Sequence, residues 1–465
     1  MKKMMLPVLE DDWVIRGTEE VPRLFNKISN KIIKLNKEVL KYILDCDGTN
    51  SYDDIIKKYN LSEGEVFEFY EQFKNENIIY EISEVKKHTI SINLGQNEPW
   101  LKEVHIDTTN YCNLRCKHCF WGTNLKNEQN ISKEKWFDFI MDIKKLGVAK
   151  VVLSGGETFT NSDLLDIIKC CYDNEIMIAS IFTNGTIYDE NAKRIIKFLT
   201  EKKLTTVFYI SLDGCNSEQH DFIRGKGNFD KTIYFIKEIL KYKKENNANY
   251  QVMINSLLHK KNYQNLIEWY DFLEKLGVYG WRFTTGRVTG FFKANADSIQ
   301  VTSKQCFDEY KKLINYLLEK YNNGKKILYL NIENFFTTRA LVNKKMYIFD
   351  KNLSICDYKS NACSVDPKGN VQFCTGWQNI KYGNVFEKNI SEIWYSNELQ
   401  KLKQMKIKDI KDCQDCRHLK YCGGGCRLEC ENIYAKDIAI CENFDLFEDE
   451  MIPILKSNGI EFTVE

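Results

Sequence analysis

Between Glu103 and Thr285 the chain alternates short apolar runs with longer amphipathic segments, and no other feature of the sequence constrains the fold as much. Runs of strand length separated by segments of helical period make parallel βα units, because parallel neighbours need a crossover long enough to hold a helix. Strands are expected at 103–107, 150–154, 176–183, 205–212, 250–256 and 280–285, with helices near 132–146, 161–174, 188–200, 228–245 and 262–276. Six units fall short of a full barrel, so the fold class is α/β with a partial (β/α)6 barrel.

The flanks lack that rhythm. Residues 13–82 read as a small α+β unit, with a strand near Trp13 to Arg16 and a hairpin of Leu24 to Ile28 and Lys31 to Leu35 turning at Ser29-Asn30. Helices follow at Lys37 to Leu44, Tyr52 to Tyr59 and Glu63 to Asn75, the last behind Ser62 as N-cap with Glu65 as its box partner. Ile78 to Ile82 then returns as a wing strand. The domain plan is 1–85, a linker 86–102, the barrel 103–300, a bridging region 301–355 with a helix near 303–321, a cysteine-rich domain 356–450 and a tail 451–465.

Charge excludes several partners. Lys and Arg number 66 against 65 Asp and Glu, so the net charge of +1 offers no field for nucleic acid or an anionic membrane. Apolar runs such as Ile176 to Phe182 are far shorter than the roughly 18 residues of a membrane span. Glu10, Asp11 and Asp12 follow Leu9 where a signal peptide would need a longer apolar core, so a cytoplasmic location is expected.

The 17 cysteines are odd in number and locally clustered, which favours metal or cluster ligation over a disulfide framework. Cys46, Cys170, Cys171, Cys215 and Cys306 sit inside apolar segments and receive no role. By contrast, Cys112-Asn-Leu-Arg-Cys116-Lys-His-Cys119 places three thiols on a loop directly after the first barrel strand, at the end where barrel chemistry is found. Zinc is the structural alternative, but a closed zinc site wants a fourth ligand that His118 is badly placed to be. Three thiolates on a cubane cluster leave one iron open to an exogenous ligand.

This spacing resembles the signature of radical S-adenosylmethionine (radical SAM) enzymes. Three further segments carry the resemblance: Ser154-Gly155-Gly156-Glu157 after the second strand, Thr183-Asn184-Gly185 after the third and Ser211-Leu212-Asp213-Gly214 after the fourth. The resemblance implies that Cys112, Cys116 and Cys119 hold a catalytic four-iron cluster whose open iron binds the cofactor's amino and carboxylate groups. It places His118 against the adenine, Gly155 and Gly156 close to the ligand, Glu157 on its ammonium, and Asn184, Ser211 and Arg224 around it. Thr158 stands where that family usually carries proline. The implied chemistry is reductive cleavage to a 5′-deoxyadenosyl radical, with the electron drawn from a flavodoxin or ferredoxin.

Further on, Cys356-x12-Gly369-x4-Cys374, then Cys413-x2-Cys416-x5-Cys422-x3-Cys426, then Cys441, is similar to the SPASM domain of peptide-modifying radical SAM enzymes. The resemblance implies two auxiliary four-iron clusters, three in all. Cys413, Cys416, Cys422 and Cys441 would hold one, and Cys356, Cys374 and Cys426 the other, with either Cys363 or an external group in its fourth place. Cys430 has no assigned place. The N-terminal unit resembles the winged-helix-like element that captures leader peptides, binding an extended leader along the hairpin edge. Lys27, Lys31, Lys34 and Lys37 are then either contacts for an acidic leader or ordinary surface lysines.

The expected activity is crosslinking of a ribosomally made precursor peptide, forming a thioether from a cysteine sulfur to carbon, or alternatively a carbon–carbon bond as in streptide-type maturases. Formylglycine formation is disfavoured by Thr375 after Cys374, where that branch carries an aspartate. A cluster-bearing DNA-binding regulator is disfavoured by the full set of cofactor motifs.

Overall fold

The computed structural model describes residues 5–122, 131–287, 289–333, 335–356, 360–377, 380–430 and 432–464. At the N-terminus, β1 (Leu6–Leu9), β2 (Trp13–Gly17), β3 (Pro22–Asn26) and β4 (Ile32–Lys34) precede α1 (Lys37–Leu44), α2 (Tyr52–Tyr59), α3 (Glu63–Asn75) and β5 (Ile79–Ile82). The three helices occupy the residues read from the sequence. Local chemistry explains their starts: Asn36 caps α1, and Ser51 with Asp54 closes a reciprocal capping box on α2. The corresponding box expected from Ser62 involves Glu65, whose side chain lies outside the described residues.

The strand β5 pairs antiparallel with β1, whose residues Leu6, Val8 and Leu9 are buried. The apolar start of the chain is thus core. The segment expected as a linker is also ordered, running beside β2 through the bonds Ile15 N–H to Ser91 carbonyl (2.8 Å) and Gly95 N–H to Gly17 carbonyl (2.9 Å). In the three-stranded sheet β2-β3-β4 this covers the β2 edge.

The six barrel strands follow as β6 (Glu103–Asp107), β7 (Lys150–Ser154), β8 (Met177–Thr183), β9 (Val207–Ser211), β10 (Gln251–Leu258) and β11 (Gly280–Thr285). Between them lie α4 (Lys133–Lys145), α5 (Leu164–Asp173), α6 (Glu190–Glu201), α7 (Ser217–Arg224), α8 (Asn228–Asn246) and α9 (Leu266–Leu276). Beyond β11 come α10 (Gly290–Ile299), α11 (Ser303–Asn322), β12 (Tyr329–Ile332), β13 (Phe336–Thr337), α12 (Arg339–Asn343) and β14 (Lys345–Ile348), then β15 (Ala362–Val365) and β16 (Val371–Gln372). The bridging region therefore supplies sheet as well as helix. A last strand, β17 (Glu461–Val464), pairs with β14.

The main sheet is larger than six strands, with the order β13-β12-β11-β10-β9-β8-β7-β6-β15-β16, open at both ends. β12 extends the parallel run past β11, and β15, from the cysteine-rich region, pairs parallel with β6 at the other side. Successive strands are neighbours, and right-handed crossovers then put the crossover helices on one face. Alternation does the rest: Val104, Val151, Phe208, Ile254 and Trp281 share a core with Trp136, Ile168 and Phe235 from the helices. The opposite face carries Glu103, His105, Tyr209, Ser211 and Arg282 beside the apolar Val152 and Met253. Among the described residues no helix is long and apolar enough to cross a membrane.

The N-terminal unit docks on the strand starts of this sheet. Val14 and Phe25 pack with Trp100 and Ala149, and Ile32 and Met177 close the cluster. Beside it, the fully buried Arg16 pairs with Glu175 at 3.3 Å, and Ser91 and Lys27 reach the same carboxylate. Removing one partner of such a pair leaves an uncompensated charge. Arg16→Ala is therefore expected to destabilise the enzyme by about 3 kcal/mol, read as a lowered urea midpoint by tryptophan fluorescence; an unchanged midpoint would contradict this docking.

Candidate functional site

Leaving the sheet at the C-terminal end of β6, the chain enters the loop 108–119, which carries three thiols. Cys112 and Cys116 are buried and Cys119 half-buried, grouped around Leu114. Backbone bonds pin the loop on one side: Lys117 N–H to the Ile223 carbonyl of α7 (3.0 Å), and Phe291 N–H of α10 to the Cys119 carbonyl (2.8 Å). Donors are aimed at the sulfurs. The Leu114 N–H lies 3.4 Å from Cys112 Sγ, Asn184 Nδ2 lies 3.9 Å from the same atom, and Arg224 Nη1 lies 3.9 Å from Cys116 Sγ. Burial pushes the Cys112 thiol up to about 12 and the Cys116 thiol up to about 11, the latter opposed by Arg224.

Among the described residues no three His, Cys, Asp or Glu side chains converge to hold a single metal ion. A cubane places its thiolates on separate irons, further apart than the ligands of one zinc ion. Three grouped sulfurs with N–H donors turned toward them therefore suit a cluster better than zinc.

On the other side the loop is held by the turn after β7. Gly155, with φ +139°, and Gly156 are glycines because a Cβ at either would collide with the Thr109 or the Tyr111 carbonyl oxygen. The close approach is thus to the cluster loop itself, sealed by Gly156 N–H to Thr109 carbonyl (2.8 Å) and Glu157 N–H to Tyr111 carbonyl (2.8 Å). The Glu157 carboxylate likewise turns into the protein. Its Oε1 accepts from the Thr183 hydroxyl (2.6 Å) and the Phe159 N–H (3.1 Å), and its Oε2 from the Asn184 N–H (2.6 Å). Burial raises its carboxyl above the ordinary value, against these three donors. Thr158, the departure from the family pattern, uses its hydroxyl on the Phe182 carbonyl (2.7 Å), a bond proline would lack.

Arg224 is also differently committed. Its Nε donates to Asp213 Oδ2 at 2.5 Å, while its Nη2 lies 3.3 Å from His118 Nε2. Asp213 is wholly buried and accepts the Leu257 N–H as well (2.8 Å). Burial would raise this carboxyl, but Arg224, His118 and His220 hold it down to about 2. Burial, with Arg224 behind it, pushes the His118 imidazole down to about 3, so the ring is neutral. With Nε2 accepting from the guanidinium, Nδ1 carries the proton, and that buried atom has no hydrogen-bond partner among the described residues. An orphaned donor beside the thiols fits a cofactor with acceptor nitrogens. The sequence assigns Asp213 no role of its own, and its only signal there is a lone acid at a strand end within one helix of an arginine.

Ser211 lies at the end of β9, half-buried on the face opposite the helices, and its row continues through Asn255 and Arg282 to Asn331. Asn184 is locked, its Nδ2 donating to Asn113 Oδ1 (2.9 Å) and its Oδ1 accepting from Thr186.

In the cysteine-rich region, Cys413, Cys416, Cys422 and Cys441 line one enclosed cavity, with His418, Leu419 and Phe444 completing its wall. Burial pushes the Cys422 thiol up to about 12, and the Gly424 N–H points at its sulfur (3.4 Å). Gly423, Gly424 and Gly425 all have φ between +58° and +85°, a run that side chains would strain. These four thiols fit a second cluster. Cys356, Cys363 and Cys374 all border the main core, Cys363 with no exposure on β15 beside Val104 of β6. Cys426 follows the glycine run, its N–H on Asp437 (2.8 Å), and the Cys430 thiol donates back to the Cys426 carbonyl (3.3 Å).

Residues 106–273, the span from β6 to α9, match the Radical SAM superfamily. The chain carries a radical SAM domain. Residues 356–417 of this radical SAM enzyme match SPASM, an iron–sulfur cluster-binding domain. These domains imply S-adenosylmethionine and iron–sulfur clusters. The enzyme is 24% identical over 328 residues to mycofactocin maturase MftC of Mycolicibacterium smegmatis, covering 69% of this chain and 76% of that one. It is 27% identical to the subtilosin biosynthesis protein AlbA of Bacillus subtilis, covering 48% of this chain and 51% of that one. It is also 24% identical to the AdoMet-dependent heme synthase of Methanosarcina barkeri, covering 68% and 88%. Among solved structures, Streptococcus suis SuiB bound to precursor peptide SuiA superposes with a TM-score of 0.67 at 18% identity, over 93% of this chain and 99% of that one.

The turn after β7 yields a test. Gly156→Ala drives a methyl into the Tyr111 carbonyl, so the reconstituted variant is expected to lose about four irons per chain while the SPASM clusters stay loaded; full iron content would show that the turn does not shape the loop.

Proposed function

We propose that this radical SAM enzyme matures a ribosomally synthesised precursor peptide, joining a cysteine sulfur to carbon in a thioether. The observation that carries the reading is the docked N-terminal unit. With the β2 edge covered by residues 91–95, β4 is the edge of its sheet left to accept an extended leader as a further strand. Two of the lysines considered for leader contact have partners within the chain, Lys27 with Glu175 (3.8 Å) and Lys31 with Glu76 (2.5 Å), whereas Lys34 and Lys37 stay exposed on and just after β4. The likeness to SuiB supports this reading because it extends over the N-terminal unit, which a heme-forming reading leaves without a task. It equally supports a carbon–carbon crosslink as the second reading.

In this scheme Cys112, Cys116 and Cys119 hold the catalytic cluster, with His118, Asn184, Ser211 and the Gly155-Gly156 turn bordering the cofactor. When bound, cluster and S-adenosylmethionine supply one-electron cleavage to a 5′-deoxyadenosyl radical. Glu157 and Arg224 act by position: the first ties the ends of β7 and β8, the second sets its charge beside the thiolates. Cys413, Cys416, Cys422 and Cys441 hold one auxiliary cluster, and Cys356, Cys363, Cys374 and Cys426 the other, giving the electron released at crosslinking a place to go. A flavodoxin or ferredoxin supplies the priming electron.

Anaerobic analysis is expected to give about twelve irons per chain, and a value near four would remove the auxiliary clusters. Replacing Cys112, Cys116 and Cys119 together by Ala is expected to abolish 5′-deoxyadenosine formation by the reduced enzyme, measured by chromatography. A short cysteine-containing peptide encoded beside this enzyme should become lighter by about two hydrogens on reaction. Lys34→Glu with Lys37→Glu is expected to weaken its binding severalfold. A peptide returned at its original mass would defeat the maturation reading.

A further inference from the structure

A buried cation stands beside the cavity of Cys413, Cys416, Cys422 and Cys441. Arg427 follows Cys426 in the chain and is 4% exposed. Its Nη2 donates to the Gly424 carbonyl, and its Nη1 to the carbonyls of Ala435 (2.5 Å) and Ile433 (3.3 Å). Nε, equally buried, has no hydrogen-bond partner among the described residues. Asp437 shares the cavity wall, but its carboxylate is taken by the N–H groups of Cys426 (2.8 Å) and Ile440 (3.3 Å), and among the described residues no ion pair joins it to Arg427.

Strapping the glycine run to residues 433–435 does not require a charge, since a neutral amide also donates to carbonyls. A guanidinium taken out of water is costly unless an anion shares the site. The neighbouring thiols are the anions at hand once they bind iron. Gly424, whose carbonyl Arg427 holds, lines the cavity and points its N–H at Cys422 Sγ (3.4 Å). Burial raises the thiols of Cys413, Cys430 and Cys441, and Arg427 opposes it at all three, so its field reaches the cavity and the segment after Cys426 alike. A cubane on four thiolates is anionic and becomes more so on reduction. A positive charge beside it favours the more negative state, and does so more strongly where water is excluded.

We infer that Arg427 is the counter-charge of the cluster held by Cys413, Cys416, Cys422 and Cys441 and raises its reduction potential. It acts through the cluster's charge and is a positioning residue. The inference rests on the assignment of those four thiols to a cluster, and it deepens that assignment: a site so charged holds an added electron more firmly, as an acceptor of the electron released at crosslinking must.

The test uses the full chain with Cys112, Cys116 and Cys119 replaced by Ala and reconstituted anaerobically, so that the clusters left are auxiliary. Iron analysis and an EPR-monitored redox titration are made on this parent and on the same protein with Arg427→Gln or Arg427→Lys added. At a given potential the Gln variant is expected to hold about tenfold less of the reduced form of one cluster, a midpoint lowered by about 59 mV for a one-electron couple. The Lys variant should keep most of the parent's midpoint. An unmoved midpoint in the Gln variant with its iron preserved overturns the inference. So does a Lys midpoint lowered as far as that of Gln, which makes the side chain a strap and no more. If the Gln variant loses about four irons and the Lys variant keeps them, the charge is what the cluster needs and the inference stands; loss in both overturns it. A parent that retains no iron would instead remove the cluster assignment, and the inference with it.

Discussion

Everything at the mouth of the sheet depends on a buried carboxylate that must find partners. Glu157 cannot be left unsatisfied at 2% exposure, and it satisfies itself on the ends of β7 and β8. That fixes the turn after β7, whose two glycines let it press against residues 109–111 and fold the thiol loop over the sheet. Three strand ends thereby behave as one piece. Precision at the cluster comes from backbone meeting backbone, with no side chain in between to relax.

The opposite flank of the loop is governed by charge. Asp213 and Arg224 are both buried, and a pair taken out of water is costly unless its remaining hydrogen-bonding capacity is used. Here it is used on the Leu257 N–H, His118 and the sulfur of Cys116. Burial raises these thiols, so binding iron there displaces protons and assembly of a cluster is favoured as pH rises. The positive charge of Arg224 eases that exchange at Cys116.

Periodicity carried the sequence reading wherever one face of an element meets the core. The strands at 103–107, 150–154 and 280–285 and the helices at 37–44 and 63–75 fall where the apolar pattern puts them. Spacing within the loop also pointed to the grouping of Cys112, Cys116 and Cys119, while Cys413, Cys416, Cys422 and Cys441, which share a cavity, were brought together only by the resemblance to the SPASM domain. What escaped depends on contacts distant in the chain. Whether Glu157 faces a ligand or β8, and whether Arg224 faces a cofactor or Asp213, is decided by which elements pack nearby, and no local pattern encodes it. The pairing of β1 with β5 and of residues 91–95 with β2 escaped for the same reason, since short strands at an edge have little periodicity to read.

The docking of the N-terminal unit has a geometric corollary. Its apolar contacts, Ala149 and Met177, lie just before or at the first residues of β7 and β8, whereas the thiol loop lies past the last residue of β6. If β4 holds a leader as proposed, capture and reaction sit at opposite rims, separated by at least the height of a strand; the seven residues of β8 span roughly 23 Å. An extended chain advances about 3.4 Å per residue, so a peptide anchored on β4 has to pay out some seven residues before any of its atoms meets the radical. On that reading the fold acts as a ruler, and residues nearer the anchor than that are shielded by distance alone.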